Sequence, residues 1–363
     1  MGISVDIKKK YDDFTLDVSF ESSSNRIGIL GASGCGKSLT LKSIAGLIKP
    51  DSGSVIFDKR ILYDSGRKIN IRPQERSVGY LFQDYALFPN MTVEENIETA
   101  LRGASGTRKR AEKNNTGNTS GVKKDDSAWN TIEDILGDFG LHNIRDHRPD
   151  KISGGQKQRT ALARMLACDP SLLLLDEPFS AMDTYLREGM RLELIRRLNM
   201  YNKTVIIVSH DRDEIYQMCN YLVLMDKGRV IDRGSTDELF EHPKSSASAR
   251  LTGCKNISRI ERISEHRIRA LDWKGIELVT DMKVEKGMTH AGIRAHDFTP
   301  GEHGVNVIDT GQAMISRLPF EWYVTLENGL WWKLPRELDR QYTSDIVPRY
   351  VSVEPEKIIL MKG

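Results

Sequence analysis

Apolar residues in the first two thirds of the chain follow two alternating patterns. Short β-branched or leucine-rich runs predict strands over 26–30, 77–82, 171–175, 204–209 and 221–225. The runs at 172–175 and 205–208 are apolar at every position, as in strands buried on both faces. Between the strands, Leu41, Ile44, Ala45 and Ile48 recur at helical spacing, and so do Leu162, Met165 and Leu166. Strand and helix alternate, which predicts a layered α/β domain around a largely parallel sheet. From about residue 254 the pattern changes. Short alternating segments at 267–271, 276–279, 291–295 and 322–326 are punctuated by glycines, and they predict a small all-β barrel or sandwich.

Two breaks divide this pattern. Residues 103–128 are rich in Gly, Ser, Thr, Asn and Lys with almost no apolar residue, and read as a flexible insertion with a solvated surface. Residues 241–253 lose the apolar runs and read as a linker. The expected organisation is therefore an α/β domain over 1–240, the linker, and a β-rich domain over 254–363. A length of 363 residues suits two domains.

Composition removes several classes. With 53 basic and 51 acidic side chains the net charge is +2, so no global charge favours nucleic acid or an anionic membrane. No apolar run reaches the roughly 18 residues that span a bilayer. The first ten residues lack the apolar stretch of a signal peptide, so a cytosolic start is expected. Cys35, Cys168, Cys219 and Cys254 are far apart and form no CxxC pair, which predicts free thiols rather than a zinc or redox site.

Candidate chemistry gathers at strand ends. After the strand at 26–30 comes Gly31-Ala-Ser33-Gly34-Cys35-Gly36-Lys37-Ser38-Leu39, the G-x-x-x-x-G-K-S pattern between a strand and a helix. Glycines let backbone N–H groups turn inward around an anion, and the helix start adds its positive end. Lys37 would reach the β- and γ-phosphates and the Ser38 hydroxyl would meet Mg²⁺. The strand at 171–175 ends in Asp176 and Glu177, two acids that a buried strand does not need. Asp176 is the candidate metal ligand, acting through water, and Glu177 the candidate base for an attacking water. His210 ends another buried strand and would fix that water or the γ-phosphate. A second helix start, Ser153-Gly154-Gly155-Gln156, is also built to hold an anion. One phosphate tail has no evident use for two such sites from one chain. A two-fold dimer resolves this, each nucleotide lying between the phosphate loop of one copy and the Ser153 helix of the other.

Over residues 1 to about 240 the chain resembles the ATP-binding subunits of ABC transporters. The resemblance rests on the phosphate loop, Gln83 in Leu-Phe-Gln-Asp, Ile-Ser-Gly-Gly-Gln at 152–156, Leu-Leu-Leu-Leu-Asp-Glu-Pro at 172–178, Ser-Ala-Met-Asp at 180–183 and Ser-His-Asp at 209–211. Ile152 and Met182 stand where the family usually has leucine. The resemblance implies a P-loop nucleotide-binding fold with a helical subdomain at about 84–165, and ATP and Mg²⁺ as cofactors. It implies that Gln83 contacts metal and water and links the site to membrane subunits, that Asp183 crosses the dimer interface, and that an aromatic stacks on adenine. Tyr11 is the choice for that ring and Phe14 the rival.

It also implies partners: a second copy, an integral-membrane permease and an external solute-binding protein, with the chain peripheral on the cytoplasmic face. A β-rich tail is common in importer ATPases, as a regulatory or dimerising domain. The segments 61–73 and 292–297 are similar to those of molybdate importers, whose tail is an OB-like, molybdate-binding-like barrel. Sulfate, polyamine, iron and sugar importers share the same core. A soluble ATPase of DNA repair or translation would carry two cassettes or a long coiled coil, and a P-loop kinase would lack Ser-Gly-Gly-Gln. Two further expectations follow from the residues. Cys35 inside the phosphate loop predicts that alkylation blocks ATP. On an alternating strand His296 and Asp297 would face opposite ways.

Overall fold

Continuous apolar runs need cover on both faces, and they set the order of the central strands. The structure is a computed structural model that describes residues 2–102, 131–180, 184–201, 203–318, 321–335 and 347–363. The insertion at 103–128, and Ala181, Met182 and Asp183, lie outside the described residues. The chain forms two compact units, Met1–Arg233 and Gly234–Gly363.

In the first unit the elements are β1 (Ile3–Lys10), β2 (Thr15–Ser22), β3 (Arg26–Gly31), α1 (Lys37–Ala45), β4 (Ser52–Phe57), β5 (Arg60–Asp64), β6 (Ile69–Asn70) and β7 (Val78–Leu81). There follow α2 (93–102), α3 (Ile132–Asp138), α4 (Gly154–Ala167), β8 (Leu172–Asp176), α5 (Thr184–Met200), β9 (Thr204–Ser209), α6 (Arg212–Met218), β10 (Tyr221–Asp226) and β11 (Arg229–Ser235). Among the described residues they build an 11-stranded sheet in the order β6-β5-β4-β1-β2-β11-β10-β3-β9-β8-β7. β10, β3, β9, β8 and β7 pair in parallel, as the alternation of strand and helix predicts. β1, β2, β4 and β5 pair antiparallel. Every residue of β3, β8 and β9 is buried.

This order serves the site. Parallel neighbours put the carboxyl ends of β3, β9, β8 and β7 on one edge, and the candidate loops leave from that edge. α1 packs Leu41 and Ile44 against the sheet, each 0% exposed, which stabilises the helix by about 1.5–3 kcal/mol per side chain. It stops at Gly46, whose left-handed backbone (φ 79°) closes the last turn, so Ile48 lies beyond the helix that its spacing predicted. Ser153 and Gln156 cap α4 reciprocally: the Ser153 hydroxyl accepts from Gln156 N, and Ser153 N donates to the Gln156 amide oxygen.

The second unit begins with α7 (Thr236–Glu241) and α8 (Ser246–Leu251). The stretch expected as a linker, 241–253, therefore contains a helix. Ser245 caps it, Ala249 is buried in it, and Ser246 N donates to Lys362 O, so it is tied into the second unit at the last strand. The division between the units accordingly falls before 240, at Arg233. The remainder is β structure. One five-stranded sheet runs, in spatial order, Ile276–Val279, Arg267–Ala270, Asn256–Ser264, His290–Ile293 and Ile359–Met361. Two three-stranded sheets accompany it among the described residues. All three share a core that includes Ile268, Leu278, Ile293, Val324, Trp332 and Val351. His296 and Asp297 are not on a strand: they sit in a turn closed by Asp297 N on Arg294 O, and their side chains approach to 3.6 Å instead of pointing apart. Among the described residues no helix is long and apolar enough to cross a membrane.

One buried charge ties α1 to the strands beside it. The Arg76 side chain is 2% exposed, and its guanidinium donates to the carbonyls of Ser43 and Ile44 in the last turn of α1, to Ile71 O and to the Asn70 side chain. It meets the negative end of the helix, while burial lowers its pKa to about 10. Arg76→Ala leaves these acceptors without their donor. We expect a loss of about 3 kcal/mol. At ~2–4 °C per kcal/mol for a unit of this size, calorimetry would show it as a clear fall in the Tm of the first unit.

Candidate functional site

The loop between β3 and α1 is shaped by what cannot be there. A Cβ at Gly31 would lie 2.3 Å from Met225 O. One at Gly36 would lie 2.7 Å from Leu16 and 3.1 Å from the Phe14 ring, on a backbone at φ 104°. Both positions exclude a side chain. The loop curls around Lys37, which is 4% exposed and donates from Nζ to Gly31 O (2.8 Å) and Ala32 O (3.0 Å). An ammonium has three donors, so one remains for an incoming anion. α1 has no side-chain cap and no acidic residue in its first turn, so its first N–H groups and positive end are not neutralised from within the helix. The arrangement fits a phosphate chain. Ser33 and Gly34 are exposed along the loop. The Leu39 side chain is partly buried and packs against the core.

Cys35 differs from its expectation. Its side chain is 5% exposed, belongs to the core cluster, and burial pushes the thiol pKa up. Alkylation needs both the thiolate and access to it, so the loop thiol is not a ready target.

The candidate metal position lies where β8 ends. Asp176 is 4% exposed. Its Oδ1 accepts the Ser38 hydroxyl at 2.7 Å, so the two predicted metal residues meet directly. Its Oδ2 accepts the Tyr80 hydroxyl at 2.7 Å. Burial and the neighbouring carboxylate push the Tyr80 phenol far above its ordinary pKa, which keeps it a donor. An open cavity of about 570 Å³ lies here, lined in part by Ser38, Lys42, Gln83, Asp176 and Ser180. A hydroxyl, a carboxylate and an amide are hard oxygen donors suited to Mg²⁺. Among the described residues no cluster of three or more His, Cys, Asp or Glu side chains is placed to hold a metal. This donor set therefore fits an ion that keeps waters and shares phosphate oxygens, and not one caged by protein.

Glu177 turns away from the strand. Its backbone is left-handed (φ 46°), held by Glu177 N donating to Val208 O. Such strain in a non-glycine residue persists only where surrounding contacts enforce it. The Glu177 carboxylate comes within 3.3 Å of His210 Nδ1. Behind His210, the Ser209 hydroxyl donates to Glu214 (2.6 Å) and accepts from Asp211 N, while Asp211 caps α6. The loop after Gln83 is braced by Arg164, which donates to Tyr85 O, and by Asn96, which bonds both the N–H and the carbonyl of Phe88.

Two groups of expected residues stand apart. Ser153, Gly154, Gly155 and Gln156 line no part of that cavity. Gly154 is exposed with open space where a Cβ would be. Tyr11 is 36% exposed, with Lys9 over its ring at 5.9 Å. Phe14 is half-buried against Gly36, so it supports the loop and leaves Tyr11 as the open ring. Asp183 lies outside the described residues.

Tyr80, Lys42, Arg164, Asn96 and Glu214 are absent from the sequence reading. Tyr80 carried a signal: a hydroxyl on a half-buried strand needs a partner. Contacts from separate elements left no such mark on the others. For Cys35 we expect that maleimide labelling, mapped by mass spectrometry, is far slower in the native than in the unfolded protein and is unchanged by ATP.

The family profile described as ABC transporter matches residues 15–180. A glucose import ATP-binding protein of Saccharolobus solfataricus is 35% identical over 63% of this chain and 60% of its own length. A putrescine transport ATP-binding protein of Escherichia coli is 36% identical over 63% of this chain and 55% of its own length. The matches thus span less than two thirds of these two relatives. A sulfate/thiosulfate import ATP-binding protein of Pseudomonas aeruginosa is 36% identical over 68% of this chain and 69% of its own length. With the phosphate loop, the Ser38–Asp176 pair and the Glu177–His210 pair on one sheet edge, this chain belongs to the ATP-binding proteins of ABC transporters.

Proposed function

We propose that the chain hydrolyses ATP with Mg²⁺ and so powers uptake of a molybdate- or tungstate-type oxyanion. In this reading it acts as a homodimer on the cytoplasmic face of a membrane permease that an external solute-binding protein supplies. The observation that carries the ATPase reading is the Ser38–Asp176 contact at 2.7 Å beside the buried Lys37.

Each residue has a separable task. The loop N–H groups and the start of α1 hold the phosphates. Lys37 offers its free N–H to the β- and γ-phosphoryl oxygens. Ser38 and Gln83, with Asp176 acting through water, would hold the metal, which would neutralise charge on those oxygens. Glu177 orients the attacking water and takes its proton on a carboxylate oxygen. His210 steadies Glu177 through Nδ1, leaving its other ring nitrogen for the γ-phosphate. Ser153 and Gly155 of a second copy close over that phosphate. The Ser153 oxygen accepts within its own cap, but its O–H remains free to donate. Tyr11 stacks on adenine, and Asp183 crosses between the copies. Closure of the clamp moves the permease through the segment around Gln83, and loss of the γ-phosphate opens it again. The second unit regulates this cycle or joins the copies.

The oxyanion reading is supported by the similarity to molybdate importers of 61–73 in the first unit and of 292–297 in the β-rich second unit. Sulfate is the second reading, favoured by the sulfate/thiosulfate relative. Polyamine, iron or sugar import, or an ATPase uncoupled from transport, are the remaining alternatives.

We expect Glu177→Gln to lower kcat at least 10²-fold while ATP affinity is retained, and chromatography with ATP to show a trapped dimer. Turnover at the unaltered rate would remove Glu177 as the base. For the solute, the gene is deleted and cells are grown on trace molybdate with ample sulfate. A selective fall in molybdenum by elemental mass spectrometry, reversed by high molybdate, supports the oxyanion. Unchanged molybdenum turns the search to sulfate and the other solutes.

A further inference from the structure

Asp176 receives two hydroxyls, and only one belongs to the metal set. Ser38 donates to Oδ1 and Tyr80 to Oδ2, both at 2.7 Å. A Ser38 lone pair can meet a metal while its O–H still donates to Asp176 Oδ1. The carboxylate is 4% exposed, and it is Tyr80 that donates to the oxygen facing away from Ser38.

The position of Tyr80 is well fixed. β7 pairs in parallel with β8, with Tyr80 opposite Leu174, so its side chain reaches along the sheet to the end of β8. Its ring packs on Phe82 with centroids 4.5 Å apart, and Phe82 itself lines the cavity. The hydroxyl is thereby carried on a strand and a packed ring, not on a loop. A carboxylate that holds a metal through one oxygen is commonly oriented by a hydrogen bond to the other.

We infer that Tyr80 is a positioning residue for the metal: its hydroxyl holds Asp176 Oδ2 and so presents Oδ1 on the Ser38 side of the cavity. The inference rests on reading this cavity as a Mg·ATP site.

The test uses the full chain and Tyr80→Phe, which keeps the ring and removes the hydroxyl. A fluorescent ATP analogue is titrated in EDTA and again across a Mg²⁺ series. Mn²⁺ binding to the nucleotide-loaded protein is followed by electron paramagnetic resonance. We expect unchanged affinity in EDTA and a metal half-saturation raised on the order of 10-fold in both metal readouts. Unchanged half-saturation overturns the inference. So does an equal loss of nucleotide affinity with and without metal, which is the mark of a merely structural role. If the unsubstituted protein itself shows no metal-dependent nucleotide binding, it is the Mg·ATP reading that fails.

Discussion

Parallel strands leave their carboxyl ends on the same edge of a sheet, and the site depends on that geometry. β3, β9 and β8 lie side by side because each is buried along its whole length and needs neighbours and covered faces. Their register brings Gly31, Ser209 and Asp176 to the same edge, and each begins a loop that carries candidate site residues. Had any one of these strands run the other way, its polar terminus would lie at the opposite edge. The core and the site therefore rest on one set of pairings.

Around that edge the protein places charge where water is scarce and gives each charge a partner. Lys37 is wrapped by two carbonyls of its own loop. Asp176 is held between two hydroxyls, and Glu177 by a strained backbone and His210. A buried ion without partners would cost several kcal/mol, so the partners are part of the site. They hold the acceptors and donors in place, the preorganisation that the proposed phosphoryl transfer requires. Arg76 plays the corresponding part for the fold, securing the far end of the helix whose start faces the phosphate loop.

The second unit is built on different terms. Among the described residues its strands are mostly short and antiparallel, and its larger core cluster draws on three sheets. A short helix that composition had marked as linker is capped by Ser245 and tied to the last strand. Ser and Ala are common to linkers and to small-residue helices, and only the packing partner tells them apart.

Local chemistry marked the phosphate loop, the acids after β8 and the capped start of α4, because each depends on spacing within a few residues. Glycines where a Cβ would clash, a lysine after them, and two carboxylates ending an apolar run carry their meaning in order. The strands of the first unit were legible for the same reason, since period and burial are local. Other features were decided only in three dimensions. The Tyr80 bond to Asp176 joins residues 96 apart. Arg76 reaches α1 from 32 residues away, at Ile44. Cys35 looked reactive by its place in the loop, yet its side chain turns into the core. His296 and Asp297 looked opposed by strand periodicity, yet a turn brings them together. A sequence states what each residue can offer, but burial and a partner from another element decide whether the offer is used.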